Sequence, residues 1–424
     1  MVALARCGGP ARQRWAAQIA AVVPELGWSC CEALFMPLLL GLRVPDYLLT
    51  VCWLFSPVLG LFLHPFVGKM SDVHGRRPWT VLFGTLAAVG LVVTALCPLL
   101  LSGTPGAAAA TAIVAFGITD MSHDTLVTPT RAAMNDLFDA DASERRSALA
   151  AGVGKLLGQL CATFLHSSAA FMTTAGLIAA ATAAQLLAPS ERPCRGGGGS
   201  CAAGEEAAAP TVSRAPPGFA LIWLLSFAGW VSTCTFSFYF TSVWSEQAGF
   251  SPGTPEFTKE VKFACVLLMG NAVVFFATGA ALPAISRAFG GELRATAVAV
   301  VVLALVLLSF GNTPRPCAAA ATLVAMPFGY QVVTNAPFAW LERQPGFAEA
   351  ERGRLTGWLN ASLAAAQTIT AVASGPLVAA AGGRLVVAFH AVAVLDVIVV
   401  AAVAGLALRG RRRAPSEPLA TAAL

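Results

Sequence analysis

Runs of about 20 apolar residues recur along almost the whole chain, and each is long enough, at about 1.5 Å per helical residue, to cross a hydrocarbon core of roughly 30 Å. Twelve such runs are read, near 15–40, 48–69, 79–101, 107–130, 147–166, 169–189, 219–244, 262–285, 295–310, 318–339, 355–376 and 385–408. Alternation at period two, which marks an outer-membrane barrel, is absent. Backbone exposed to lipid must satisfy its hydrogen bonds within each segment, so the expectation is an all-α membrane protein with twelve transmembrane helices. Composition leaves little alternative: 57% of the 424 residues are hydrophobic and only 12% charged, with a mean hydropathy of +0.71, a balance foreign to soluble domains.

The charges that remain are placed asymmetrically. Counted from a cytoplasmic N-terminus, 21 of the 27 Lys and Arg residues fall on the inner side. The exceptions are Arg43, Lys259, Lys262, Arg315 and Arg384 outside and Lys155 within span 5. The positive-inside rule then predicts both termini in the cytoplasm and an even number of spans. The net charge of +5 is accounted for by juxtamembrane arginines, so nucleic acid is not expected as a partner. Of 11 cysteines, those inside spans read as small packing residues, because neither metal-ligand spacing nor a disulfide framework is present. No metal or cofactor is expected.

The longest polar stretch, 190–217, contains the run Gly196 to Gly199 with Ala, Pro and charges of both signs, a composition that buries no core and reads as a flexible cytoplasmic linker. It divides the chain into a six-helix half at 1–189, a second half at 218–408 and a tail at 409–424. The end of span 2, Gly68-Lys69-Met70-Ser71-Asp72-Val73-His74-Gly75-Arg76-Arg77, has a looser counterpart at the end of span 8, Leu282 to Gly291. Duplicated halves suit alternating access.

Gly68 to Arg77 fits G-x-x-x-D-x-x-G-R-R and resembles the signature that the major facilitator superfamily carries between its second and third spans. Gly68 permits close helix approach, Gly75 a tight turn, and Asp72, Arg76 and Arg77 are placed to bridge neighbouring helix ends, which is a gating role. An ordinary basic loop explains the two arginines but not the Gly/Asp spacing. The resemblance widens from there. Trp53-x-x-x-Pro57-x-x-Gly60-x-x-x-x-Pro65-x-x-Gly68-x-x-Ser71-Asp72 is similar to the sucrose/proton symporters of plants and their animal relatives. So are Asp120-x-x-x-Asp124-x-x-x-x-Pro129-x-Arg131-Ala132-x-x-x-Asp136-Leu137 in span 4 and Gly154-Lys155-Leu156-Leu157-Gly158 in span 5. The second half agrees through Phe227-Ala228-Gly229-Trp230, Asn271, Gly357-x-Leu359-Asn360, Gln367 and Gly375-Pro376. One departure is the stretch Phe238 to Val243, where the family usually carries an acid and this chain offers only Ser242.

Ionisable groups inside spans cost on the order of 3 kcal/mol each on insertion scales, so they call for partners or a watered cavity. Glu25, Trp28, Ser29 and Glu32 recur at i, i+3, i+4, i+7 and share one face of span 1; Asp120, His123, Asp124, Thr128 and Arg131 form a stripe on span 4. Lys155 and Asp124 lie at similar distances from the inner boundary and are expected to pair. Glu25 and Asp120 are the expected proton-coupling groups, with Glu32, His123, Asp124 and Lys155 in the same cavity; static glue between helices is the competing reading for Asp124, Lys155, Arg131 and Asp136. Asp396 in span 12 reads as structural, with His390 or a neighbouring helix as partner. For the solute, Trp28, Trp230, Ser237, Tyr330, Gln331, Asn335, Asn360 and Gln367 supply hydroxyl-matching donors and acceptors and an aromatic platform.

These readings converge on a secondary transporter. By resemblance it is a proton-coupled symporter of a sugar of the sucrose or glucoside type, in the plasma membrane or the membrane of an acidic organelle. The alternatives are a carrier of an organic anion, amphiphile or drug, or a non-transporting sensor or scaffold. An enzyme is not expected, since no HExxH, nucleophile elbow or P-loop occurs.

Overall fold

The computed structural model describes residues 9–45, 48–138, 140–187, 215–252, 254–344 and 349–413. Among them the regular structure is helical throughout, with no strand. The helices are labelled by the twelve expected spans: span 1 is Gly9–Gly41, and a short 3-10 turn, Val51–Leu54, leads into span 2, Phe55–His74. Spans 3 to 6 are Arg77–Leu100, Pro105–Leu137, Ala140–Phe164 and Ser167–Leu187. Spans 7 to 9 are Phe219–Gln247, Pro255–Ala288 and Glu292–Ser309. Span 10 is built from Arg315–Ala320 and Met326–Glu342 joined through a π turn, Ala321–Ala325, and spans 11 and 12 are Glu349–Ala380 and Val386–Arg413.

Ten of these helices are long and apolar enough to cross a membrane. The expectation of twelve is met at ten: span 4 is interrupted by Asp120, His123, Asp124 and Arg131, and span 2 by His64, Lys69, Asp72 and His74. The helices also outrun their apolar cores. Span 1 starts at Gly9, span 4 continues to Leu137, and span 8 starts at Pro255, so Lys259 and Lys262 are helical residues and not loop cations. Residues 190–214 of the expected linker and 414–424 of the expected tail lie outside the described residues.

Small residues set the closest helix contacts. Span 5 lies on span 1 at Gly154 and Gly158, where an added Cβ would stand 2.3 Å from the Val22 carbonyl oxygen and 2.5 Å from that of Leu26. Two glycines four residues apart thus bring two backbones together, as small residues do in membrane bundles. Spans 2, 3, 4 and 6 complete the first group, while span 8 packs with spans 7 and 10, span 9 with spans 10 and 12, and span 7 with spans 11 and 12 in the second. The two groups meet through spans 5 and 8, spans 1 and 7, and spans 2 and 11. Span 7 is buried without interruption from Val231 to Ser245, the mark of a helix enclosed on all sides. Span 12 is peripheral, with 17% of its apolar window buried.

Two ends of the bundle can be distinguished. Gln13, Arg77, Ala133 and Gln185 line one recess, so the starts of spans 1 and 3 and the ends of spans 4 and 6 share a face, here the near face. At the opposite, far face Thr50 donates to the Ala371 carbonyl at 2.8 Å and Thr241 to that of Ala33 at 3.0 Å.

Candidate functional site

Where the two groups of helices meet, span 1 presents Glu32, which is 3% exposed. Its carboxylate accepts from Ser237 Oγ of span 7 at 2.7 Å, and at 3.4 Å from both Lys155 Nζ and Gln159 Nε2 of span 5. A buried carboxylate is stable only when its lone pairs are satisfied, and these three donors do so. Lys155 therefore pairs with Glu32 and not with Asp124. The close seat of span 5 on span 1 turns Lys155 toward Glu32, a direction that depth along the helix does not reveal.

Asp124 instead takes the hydroxyl of Ser56 on span 2, and Gln367 of span 11 lies beside the same carboxyl. One turn toward the near face, His64 Nδ1 lies 2.8 Å from Thr128 Oγ1. Asp120 is 2% exposed, and its Oδ1 has no protein partner. His123 lies against span 1 where residue 27 is glycine: a Cβ there would fall 1.9 Å from the imidazole. The ring fits only because that side chain is missing. Glu25 is half-buried, with Lys155, Glu32, Arg131 and Asp124 as its charged neighbours and its Oε2 without a protein partner.

The residues expected to meet a solute divide. Trp28 stands edge-on to Trp53 at 5.1 Å between centroids, and its indole nitrogen has no protein partner. Trp230 and Tyr330 form a T-shaped pair at 5.8 Å. Gln331 occupies the space left by Gly279 on span 8, and its Oε1 is unpartnered. Ser237 is committed to Glu32, and Asn335 bonds back to the Gln331 carbonyl at 3.0 Å. Asn360 is exposed.

At the near face Arg76 reaches Asp136 of span 4 at 3.1 Å and Ser71 at 2.8 Å, and Arg77 donates to the Leu186 carbonyl of span 6 at 2.8 Å. Gly75 has φ +86°, a conformation that favours glycine. A Cβ on Gly68 would touch Thr128 at 3.7 Å, so spans 2 and 4 are in ordinary contact there. Arg131 is exposed, and the side chain of Asp72 lies outside the described residues. Asp396 is fully buried and takes the Ser232 hydroxyl of span 7, whereas His390 turns to the Phe310 carbonyl at 2.7 Å. Sequence reasoning missed Ser56, His64, Gln159 and Lys262. Of these only Lys262 and His64 carried a signal, as ionisable residues within helices.

Buried charge thus gathers at the join of the two groups of helices, and no metal-ligating cluster occurs among the described residues. No protein-family model matches the chain. The chain is similar to sucrose transport protein SUT3 of Oryza sativa subsp. indica, at 23% identity across 83% of this chain and 84% of the relative. Shorter stretches are similar to sucrose transport protein SUC4 of Arabidopsis thaliana, 31% identical over 32% of this chain and 30% of that one. A human membrane-associated transporter protein is 33% identical over 16% of this chain and 14% of its own. The fold is that of the nucleoside transporter NupG, in a substitution variant that superposes with a TM-score of 0.70 at 11% identity, covering 93% of this chain and 99% of that one. The chain is thus similar in sequence to membrane transport proteins and shares the fold of one.

Proposed function

We propose that the protein is a proton-coupled symporter of a sugar of the sucrose or glucoside type. Twelve spans in two halves, 1–189 and 218–408, rock about a mid-membrane site, and both termini lie in the cytoplasm. The observation that carries this reading is the set of buried polar atoms without protein partners on the inward helices: Glu25 Oε2, Trp28 Nε1, Asp120 Oδ1, His123 Nε2, Gln159 Oε1 and Gln331 Oε1. Buried polar atoms are otherwise almost always paired, so a group of orphans marks room for water or a polar solute. Donors and acceptors beside Trp28, Trp230 and Tyr330 suit hydroxyls and a pyranose face. The named activity of the rice and Arabidopsis relatives supports the same solute class.

Asp120 and Glu25 are the proton-coupling carboxyls, because each keeps an oxygen free for a proton or a hydroxyl while Glu32 and Asp124 are engaged. Solute entry that displaces water from beside either group changes its affinity for a proton, which links occupancy to protonation. The excess of Lys and Arg at the near face supports the orientation.

Uptake of radiolabelled sucrose and glucose into yeast lacking endogenous sugar transport, at about pH 5 and about pH 7.5, tests the proposal. Uptake that rises in acid and falls at least tenfold in Asp120→Asn is the expected result. No uptake of either sugar by protein confirmed at the cell surface discards the sugar assignment. Uptake that is indifferent to pH and to Asp120→Asn discards the coupling.

A further inference from the structure

The environment of Lys155 holds more than an ion pair. Its side chain is 2% exposed, and its ammonium lies 3.4 Å from Glu32 Oε2, 4.6 Å from the centre of the Tyr330 ring and 5.4 Å from that of Phe275. Glu32 is held in turn by Ser237 and Gln159. A carboxylate on one side and two aromatic faces on the other is the chemistry by which proteins recognise a small monovalent cation, an alkylammonium in particular. The walls come from both groups of helices: Glu32 and Gln159 from the first, Ser237, Phe275 and Tyr330 from the second.

A structural tie does not explain this arrangement. Spans 1 and 5 are already joined backbone to backbone at Gly154 and Gly158. Burying two charges costs several kcal/mol before their attraction is counted, so well-packed apolar residues would hold the helices as firmly. The ammonium is also longer from Glu32 than the roughly 2.8 Å of a tight charge-assisted bond, so it is shared between carboxylate and rings. Any transport cycle that parts the two groups of helices must take Tyr330 and Phe275 away from it.

We propose that Glu32, Ser237, Phe275 and Tyr330 form a monovalent-cation site shared by both halves, and that the Lys155 ammonium is its resident ion. The protein carries its own counter-cation, tethered to span 5, where a carrier without Lys155 would need one from solution. Sodium and potassium therefore leave the native protein unaffected, while removing the Lys155 side chain opens the site to a free cation of similar size and charge.

The test reads the site without any transported solute, so its outcome is independent of the sugar assignment. Thermal unfolding of the purified full-length protein is followed at about pH 8, above the ordinary carboxyl range, for wild type, Lys155→Ala and the double variant Lys155→Ala/Glu32→Gln. Each is titrated with methylammonium, sodium or potassium chloride, with N-methyl-D-glucamine chloride, whose bulky polyol cation does not fit a site sized for a lysine ammonium, holding ionic strength constant. Lys155→Ala is expected to gain about 1–2 °C in Tm at a methylammonium concentration ten times its dissociation constant. Wild type and the double variant gain nothing. Equal gains in all three proteins, or no gain in Lys155→Ala with any of the three cations, overturn the proposal. If Lys155→Ala aggregates on solubilisation, extraction in methylammonium chloride decides: recovery of monodisperse protein supports the site, and aggregation with every cation counts against it.

Discussion

At the scale of single residues, the glycines make the sharpest claim. A Cβ at residue 154 meets a backbone carbonyl, which cannot swing aside as a flexible side chain can. Gly154→Ala should therefore force span 5 off span 1 and destabilise by about 1–3 kcal/mol, the usual cost of overpacking. Gly176 of span 6 has nothing within 4 Å of an added Cβ, so Gly176→Ala should be neutral or gain from better helix propensity. Thermal unfolding of the two variants side by side checks the pair; equal Tm values would mean that the contact at Gly154 is softer than described. The glycine pair around Lys155 was visible in the sequence, and so were the acidic faces of spans 1 and 4, because helical periodicity fixes which residues share a face. Periodicity is silent on what that face meets. Lys155 and Asp124 matched in depth, yet the rotation of span 5 about its axis, set by Gly154 and Gly158, turned the ammonium to Glu32. Gly27 was illegible for the same reason, since its role is to make room for an imidazole from another helix.

At the scale of elements, spans 5 and 8 form the longest join between the two groups. It runs from Ala148, 3.7 Å from a Cβ placed on Gly279, through Gly152, where a Cβ would meet Phe276 at 2.7 Å, to the end of span 5 at the far face. There Lys262 of span 8 donates to the carbonyls of Ala162 and Leu165. The last carbonyls of a helix lack intrahelical partners and carry partial negative charge, so an ammonium satisfies both needs. Lys262→Met keeps the bulk and removes the donors. It should speed hydrogen exchange of the amides near the end of span 5 by about 10- to 100-fold, the equivalent of losing about 1.5–3 kcal/mol of charge-assisted hydrogen bonding. Exchange confined to the wild-type rate would show that the clasp contributes nothing. The sequence placed Lys262 at a span boundary because charge ends an apolar run; the helix continues through it to Pro255 since the ammonium finds acceptors on span 5. Spans 2 and 4 show the reverse. Their polar residues interrupt the apolar run without interrupting the helix, because Ser56, Asp124, His64 and Thr128 satisfy one another.

At the scale of the whole molecule, polar bonds that join the two groups among the described residues lie at the far face and at the middle. Besides Lys262 they include Thr50 to Ala371, Thr241 to Ala33 and Ser237 to Glu32, with Trp53 stacked on Phe238 at 4.2 Å between centroids. At the near face the described contacts of Arg76 and Arg77 stay within the first six helices, and Arg343 to Glu292 stays within the last six. On the proposed rocking of two halves, transport requires those bonds to break while near-face bonds form between the groups. Thr50→Cys with Ala371→Cys, in a background from which Cys7, Cys194, Cys201 and Cys317 are removed, should accept a short thiol-reactive cross-linker and be held in this state. Solute exchange in proteoliposomes should then fall at least tenfold on cross-linking and return when a reducible linker is cleaved. Undiminished exchange in fully cross-linked protein would show that spans 2 and 11 stay together through the cycle, and the opening would then have to occur elsewhere in the bundle.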